Sequence, residues 1–308
     1  MKIGVPDLIS NSYFPAVAAV ELGFFADEGL EMELEHIFPV DKTCIAMREG
    51  ELDLVAGSAH SGLSAFPGWN GGYLLASLAQ GMYWLLVVRS DLNVNQGDLS
   101  VLSGLRIGAA PWVELGLKTL LNEAKIDIEA QGIEIGPVPG SVAPGVSFGI
   151  TAARALEEGK IDAFWANGMG AETAVRSGVG KVLLDIRRGD APRSAFNFTM
   201  PALLAPERMV RDQPDIARAA VRAIVKTQAA LRADVELATQ VGEKLFPPGD
   251  ASMISAVVKR DLPYYTPEIT PAFVEDMNAF MAALGWLDGP VHYDQIVPEI
   301  ARQAWEEQ

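Results

Sequence analysis

The stretch AMREGELDLVAG, residues 46–57, returns in altered form as ALEEGKIDAFWAN, residues 155–167. Each copy reads as the end of a helix, a glycine stop at Gly50 or Gly159, and a strand starting at Leu52 or Ile161. The flanks repeat too. KIGVPD (2–7) and LRIGAAPW (105–112) are short apolar runs ending at Pro6 and Pro111. Behind the first, Phe14, Val17, Val20 and Phe24 recur at helical steps, with Gly29 placed to end that helix; behind the second, Leu117, Leu120, Leu121 and Ala124 make a similar stripe. Strand candidates EMELEHI (31–37) and GIEIGPV (132–138) come next, and the alternation of Glu with Met32, Leu34 and His36 suits a half-exposed sheet edge. The chain therefore writes β-α-β-α-β twice. The intervening helices must cover the sheet faces, so such units fold as parallel sheets with right-handed crossovers. Two of them predict two similar doubly wound α/β lobes.

A chain of 308 residues can carry two such cores. Its 49% hydrophobic and 21% charged residues are those of a water-soluble globular protein, and no apolar run is long enough to predict a membrane span. The net charge of −16 repels phosphate backbones and anionic lipid, which argues against nucleic acid and membrane surfaces as partners. With Cys44 alone there is no internal disulfide or cysteine-rich metal site, and His36, His60 and His292 lack metal-ligand spacing. No metal and no cofactor are expected. The run MKIGVPD enters a strand directly, without the basic and apolar regions of a secretory leader. The expected location is periplasmic or extracytoplasmic if a leader has been removed, and cytoplasmic if Met1 is the native start.

Several stretches together resemble the type II periplasmic solute-binding proteins of ABC importers, in the branch serving sulfonates, nitrate and thiamine-precursor pyrimidines. They are KIGVPD, AVELGFFADEGLEMEL, REGELDLVAGS, GMYWLLVVRSDL, DLSVLSGLRIGAA, ALEEGKIDAFWAN and ALLAPERMVRDQPDIARAAVRAIVKT, in family order over residues 2–226. The resemblance implies two α/β lobes joined by two hinge crossings. Lobe 1 would combine residues 1–90 with 194–308, lobe 2 would be 91–193, and the crossings would fall near 88–94 and 190–196. A helical C-terminal extension, with helices after Pro214 and at about 251–261, 271–284 and 293–306, is expected to pack on lobe 1.

In open parallel sheets ligands sit beyond the carboxyl ends of the strands, where loops converge and helix N-termini offer free N–H groups. That geometry selects LISNSYF (8–14) and GSAHSG (57–62) in lobe 1. In lobe 2 it selects Pro111, Trp112, PGSVAPGVSFG (139–149) and NGMGAE (167–172), with QGMYW (80–84) and SAFNF (194–198) flanking the hinge. The candidate ligand-binding residues are Ser10, Asn11, Ser12, Tyr13, Ser58, His60, Ser61, Tyr83, Trp84, Trp112, Ser141, Asn167, Phe196 and Asn197. Ser10, Asn11 and Ser12 either cap the first helix or hydrogen-bond a ligand. The aromatic loops suit a pocket for a flat ring, although any one of these rings taken alone more often packs in a core. His60 is a loop histidine placed to hydrogen-bond a ligand or titrate near neutral pH, or else to cap or face solvent. Trp112 is the best single probe of the second wall. Glu114 puts negative charge in the first turn of the lobe 2 helix, where oxyanion-binding members use Ser or Thr, and so argues against sulfonate and nitrate.

The chain has no G-x-S-x-G elbow, Walker loop, G-x-G-x-x-G or paired-carboxylate motif. The reading is a monomeric solute-binding protein that holds a small polar, aromatic or heterocyclic molecule in the interlobe cleft and hands it to ABC permease subunits. The alternative is a cytosolic enzyme of the same fold, of decarboxylase, dehydratase or pyrimidine-precursor synthase type, using residues such as His60, Glu114 or Cys44 on a small aromatic or heterocyclic acid. The single cysteine has no counterpart to the synthases' cysteine cluster.

Overall fold

In a computed structural model, which describes residues 1–141 and 146–307, the two copies of the repeat build two five-stranded sheets. The first contains β1 (Lys2–Val5), β2 (Glu33–His36), β3 (Leu54–Ser58), β4 (Gly72–Ser77) and, from far along the chain, β10 (Pro201–Pro206), in the order β2-β1-β3-β10-β4. The second contains β5 (Leu85–Arg89), β6 (Arg106–Ala109), β7 (Glu134–Gly136), β8 (Ala163–Ala166) and β9 (Gly180–Asp185), in the order β7-β6-β8-β5-β9. The repeated strands pair in parallel, β1 with β2 and β3, and β6 with β7 and β8. As expected of its alternating sequence, β2 lies at an edge, half exposed.

The sheets are mixed rather than purely parallel, because β10 and β5 run antiparallel to both of their neighbours. The chain path explains this. Each of these strands arrives from the other lobe and so enters its sheet at the carboxyl ends of the parallel strands. Pro201 starts opposite Ser58 and Leu85 opposite Ala166, and both strands then run back the other way. With β5 hydrogen-bonded into the second sheet, the first crossing is the segment 78–84, ahead of the 88–94 expected from sequence. The second is the segment 186–200.

Lobe 1 carries α1 (Phe14–Glu21), α2 (Phe24–Asp27), α3 (Val40–Glu49) and α4 (Gly62–Ala65); lobe 2 carries α5 (Val113–Glu123), α6 (Phe148–Glu157) and α7 (Gly168–Arg176). The stripe expected to run unbroken to Gly29 is split, since Gly23 adopts φ 84°, a left-handed conformation that ends α1. In lobe 2, α6 and α7 meet at glycines: a Cβ on Gly170 would lie 2.6 Å from the carbonyl oxygen of Gly149. This close approach sets the N-termini of α6 and α7 side by side at the cleft.

The C-terminal helices are α8 (Pro214–Ala233), α9 (Leu237–Leu245), α10 (Pro248–Asp261), α11 (Pro271–Ala283), α12 (Tyr293–Ile296) and α13 (Glu299–Glu306). Helices α8 and α13 lie on lobe 1: Arg222 donates to Glu28 at 2.7 Å, and the Trp305 indole to the Leu75 carbonyl at 2.9 Å. Helix α10 does more than the lobe 1 packing expected of it. Its Arg260 pairs with Glu172 of α7 at 3.1 Å, so it spans from one lobe to the other. Among the described residues no helix is long and apolar enough to cross a membrane.

Candidate functional site

Beyond the carboxyl ends of β1 and β8 the lobes enclose a narrow cavity of about 40 Å³, room for little more than a water molecule with the lobes set as they are here. Its aromatic lining is Tyr13 and Phe38 from lobe 1, Phe148 from lobe 2 and Trp84 from the first crossing. Its polar lining is Asp7, Ser10, Ser12 and Asn167. The rings of Phe38 and Phe148 face each other across the cleft, with centroids 6.4 Å apart and planes 15° from parallel.

Of the residues expected from sequence, Ser10, Ser12, Tyr13, Trp84 and Asn167 line this cavity. Ser10 Oγ accepts from the Ser12 N–H at 3.1 Å, which holds the loop ahead of α1 in a turn. Ser12 Oγ is buried with no hydrogen-bond partner. A hydroxyl that loses water without gaining a partner costs roughly 1–3 kcal/mol, so a polar group of a ligand that bonded it would be stabilised there. Asn167 caps α7, accepting at Oδ1 from the N–H groups of Met169 and Gly170.

The other candidates lie elsewhere. Asn11 donates to Asp261 at 2.6 Å and borders a second cavity on the crossing side, together with Tyr83 and Arg187. The hydroxyls of Tyr13 and Tyr83 bond each other at 3.0 Å and so stand between the two cavities. Ser58 and Ser61 bond each other through their hydroxyls. His60 is wholly buried, with Nδ1 at 2.9 Å from Thr199 Oγ1, Nε2 at 3.3 Å from the Trp112 carbonyl, and Trp84, Trp112 and Phe280 around it. Burial holds its pKa down at about 4. Neither solvent exposure nor titration near neutral pH, both expected from sequence, holds for this histidine, because the ring is buried.

Trp112 has φ 69°, unusual for a non-glycine residue, and its ring packs on Trp286 at 4.6 Å rather than on the cavity. Ser141 donates to the Val138 carbonyl at 2.6 Å and is buried away from the cavity; residues 142–145 of the same predicted loop lie outside the described residues. Phe196 packs on Tyr264, and Asn197 donates to Asp276 at 2.6 Å. Burial raises the carboxyl pKa of Glu114, which stands outside the cavity lining, and raises the thiol pKa of the wholly buried Cys44.

Sequence reasoning missed Asp7, one residue ahead of the loop it selected. Asp7 is 6% exposed. Its Oδ1 accepts from the Ile9 N–H at 3.0 Å, and its Oδ2 accepts across the cleft from Ser147 Oγ at 3.0 Å and Asn167 Nδ2 at 3.3 Å. Desolvation pushes its carboxyl up to about 7, against the pull of those donors and of the Phe148 N–H. The signal was available: an acidic residue directly after the strand end and Pro6, at the carboxyl edge of the sheet.

A pKa near 7 in the fold against about 4 unfolded means that the native state holds this proton more tightly. The contribution to stability is complete below about pH 4 and is lost as pH rises through about 7, by up to roughly 1.4 kcal/mol per pH unit between them. Asp7→Asn removes the titration. Urea unfolding at a series of pH values should show the variant gaining on the parent as pH rises from about 4 to 7; a constant difference across that window would contradict the burial of this charge.

No protein-family model and no curated protein matches the sequence. Solved structures do. A protein of Bordetella bronchiseptica RB50 is similar with a TM-score of 0.74 at 23% identity, over 99% of this chain and 96% of its own. The periplasmic sulfonate-binding protein SsuA from Methylobacillus flagellatus KT gives 0.69 at 16% identity, over 100% and 94%. A variant of DszB in complex with biphenyl-2-sulfinic acid gives 0.66 at 16% identity, over 100% and 99%. The likeness runs the length of each chain, and with the two sheets and the cleft between them it establishes that this chain has the bilobal α/β fold of the type II periplasmic binding proteins.

Proposed function

We propose that the chain is the solute-binding component of an ABC importer, a monomer outside the cytoplasm that holds a small polar aromatic or heterocyclic molecule between its lobes and delivers it to permease subunits. The observation that carries this reading is the cleft cavity itself: rings from both lobes face each other across it, and the buried Ser12 hydroxyl in its wall has no partner. Likeness in fold to a sulfonate-binding periplasmic protein supports the role. Two of the groups a catalyst could use are poorly placed, because His60 is held neutral with both ring nitrogens engaged and Cys44 is buried with its thiol protonated.

A second reading, an enzyme of the same fold, is favoured by one observation: Asp7 is a cleft carboxyl with its pKa near neutrality, where a general acid or base works best. Likeness to the desulfurization enzyme DszB is in keeping with it. One experiment separates the two. Mass spectrometry of the purified protein under native and then denaturing conditions identifies a retained ligand, which is then incubated at length with stoichiometric protein. A binder returns it unchanged. A decarboxylated, dehydrated or otherwise altered product would establish the enzyme.

A further inference from the structure

The donors that lobe 2 turns towards the cleft converge on a single carboxylate. Ser147 Oγ and Asn167 Nδ2 reach Asp7 Oδ2, and the N–H of Phe148, the first residue of α6, bonds the same group. A hydroxyl, an amide and a helix N-terminus aimed at one point make an anion cradle. Here the anion comes from the opposite lobe. Among the described residues no Lys, Arg or His lines this cavity, so nothing else in its wall offsets a second negative charge. Among the described residues, the Ser12 hydroxyl is the one buried side-chain polar atom of this wall without a hydrogen-bond partner, and it can donate or accept. The facing rings of Phe38 and Phe148, at 6.4 Å, stand closer than the roughly 7 Å that a third flat ring needs between them at van der Waals contact, so a ring is admitted only as the lobes part.

We propose that the cleft selects an uncharged or cationic aromatic ligand and excludes anionic ones, because the Asp7 carboxylate already fills the lobe 2 cradle that a ligand's acid group would otherwise occupy. The inference rests on reading the cleft as the binding site. The ring enters between Phe38 and Phe148, its polar edge meets Ser12, and a positive charge gains from Asp7 while a negative one is repelled.

The test uses the full-length chain at pH 8, where Asp7 is ionised, and four probes of one size: benzamidine, benzamide, benzoate and benzenesulfonate. Affinity is read by calorimetry and location by hydrogen exchange. Benzamidine should bind most tightly, benzamide next, and both anions on the order of a hundredfold more weakly than benzamidine, with protection around Asp7 and the start of α6. In Asp7→Ala the empty cradle should accept benzoate and benzenesulfonate in preference to benzamidine. If that variant does not fold, Asp7→Asn should abolish the preference of benzamidine over benzamide. An anion bound in the cleft of the parent protein as tightly as benzamidine overturns the charge selection and leaves the cleft standing. Protection elsewhere, or no binding by any probe at millimolar concentration, overturns the cleft reading and the selection with it.

Discussion

Arg187→Ala is expected to cost the fold about 3–5 kcal/mol and to loosen the lobes against each other. Arg187 sits at the start of the second crossing and ties it to the first. Its Nε donates to the Gln80 carbonyl at 3.0 Å, one terminal nitrogen reaches the Gly81 carbonyl at 3.4 Å, and the other reaches Asp261 of α10 at 3.0 Å. The guanidinium also lies over the Tyr264 ring, 4.8 Å from its centroid. The arginine side chain is only 7% exposed and its partner carboxylate 12%. Removing the cation leaves Asp261 and two carbonyls short of a donor inside a crevice, and that unpaired remainder, more than the pair itself, sets the cost. Arg187→Lys restores charge but not the planar fork, and should recover only part of the loss. The check is urea unfolding of the three proteins. A loss for the alanine variant below about 1 kcal/mol, as for an exposed ion pair, would show that the crossings are not locked here.

Trp84→Ala should be comparably damaging, at about 3–5 kcal/mol, and should also remove ligand binding. Trp84 stands in the first crossing at 3% exposure, with Tyr83 at 4.8 Å, Trp165 at 6.2 Å and His60 at 6.2 Å between ring centroids. It is a wall of the cavity and the bridge between the lobe cores, so truncation hollows both. Trp84→Phe keeps an aromatic wall and should fold while binding more weakly. Calorimetric titration of the three proteins with benzamidine reads the binding. An alanine variant that folds and binds like the parent would remove Trp84 from the site.

The repeat made the two β-α-β-α-β units legible before any coordinates, because glycine stops and apolar spacing are local properties of the chain. The strands that exchange between lobes were not. The run LLVVR reads as a buried strand in either sheet, and periodicity carries no information on which sheet receives it. For the same reason the amphipathic pattern of α10 announced a buried face without revealing that the helix reaches Glu172. At the site, loop position brought attention to Ser10, Ser12 and Asn167, which line the cavity. It also drew in Trp112, whose ring packs on Trp286, a residue 174 positions away that no local pattern connects to it. Asp7 was passed over because an Asp after a proline is an ordinary turn residue; its role depends on Ser147 and Asn167, which only the assembled lobes bring near.

A ligand in this cleft is expected to touch both lobes and draw them together. Two sheets joined by two crossings can move as rigid bodies, and a ligand favours the closed form only by binding it more tightly than the open one. Small-angle scattering tests this most directly, on the protein stripped of any carried ligand by unfolding and refolding, then with that ligand restored or with saturating benzamidine. The radius of gyration should fall on binding. Binding at full occupancy in calorimetry with an unchanged radius of gyration would contradict closure of the lobes around the cleft.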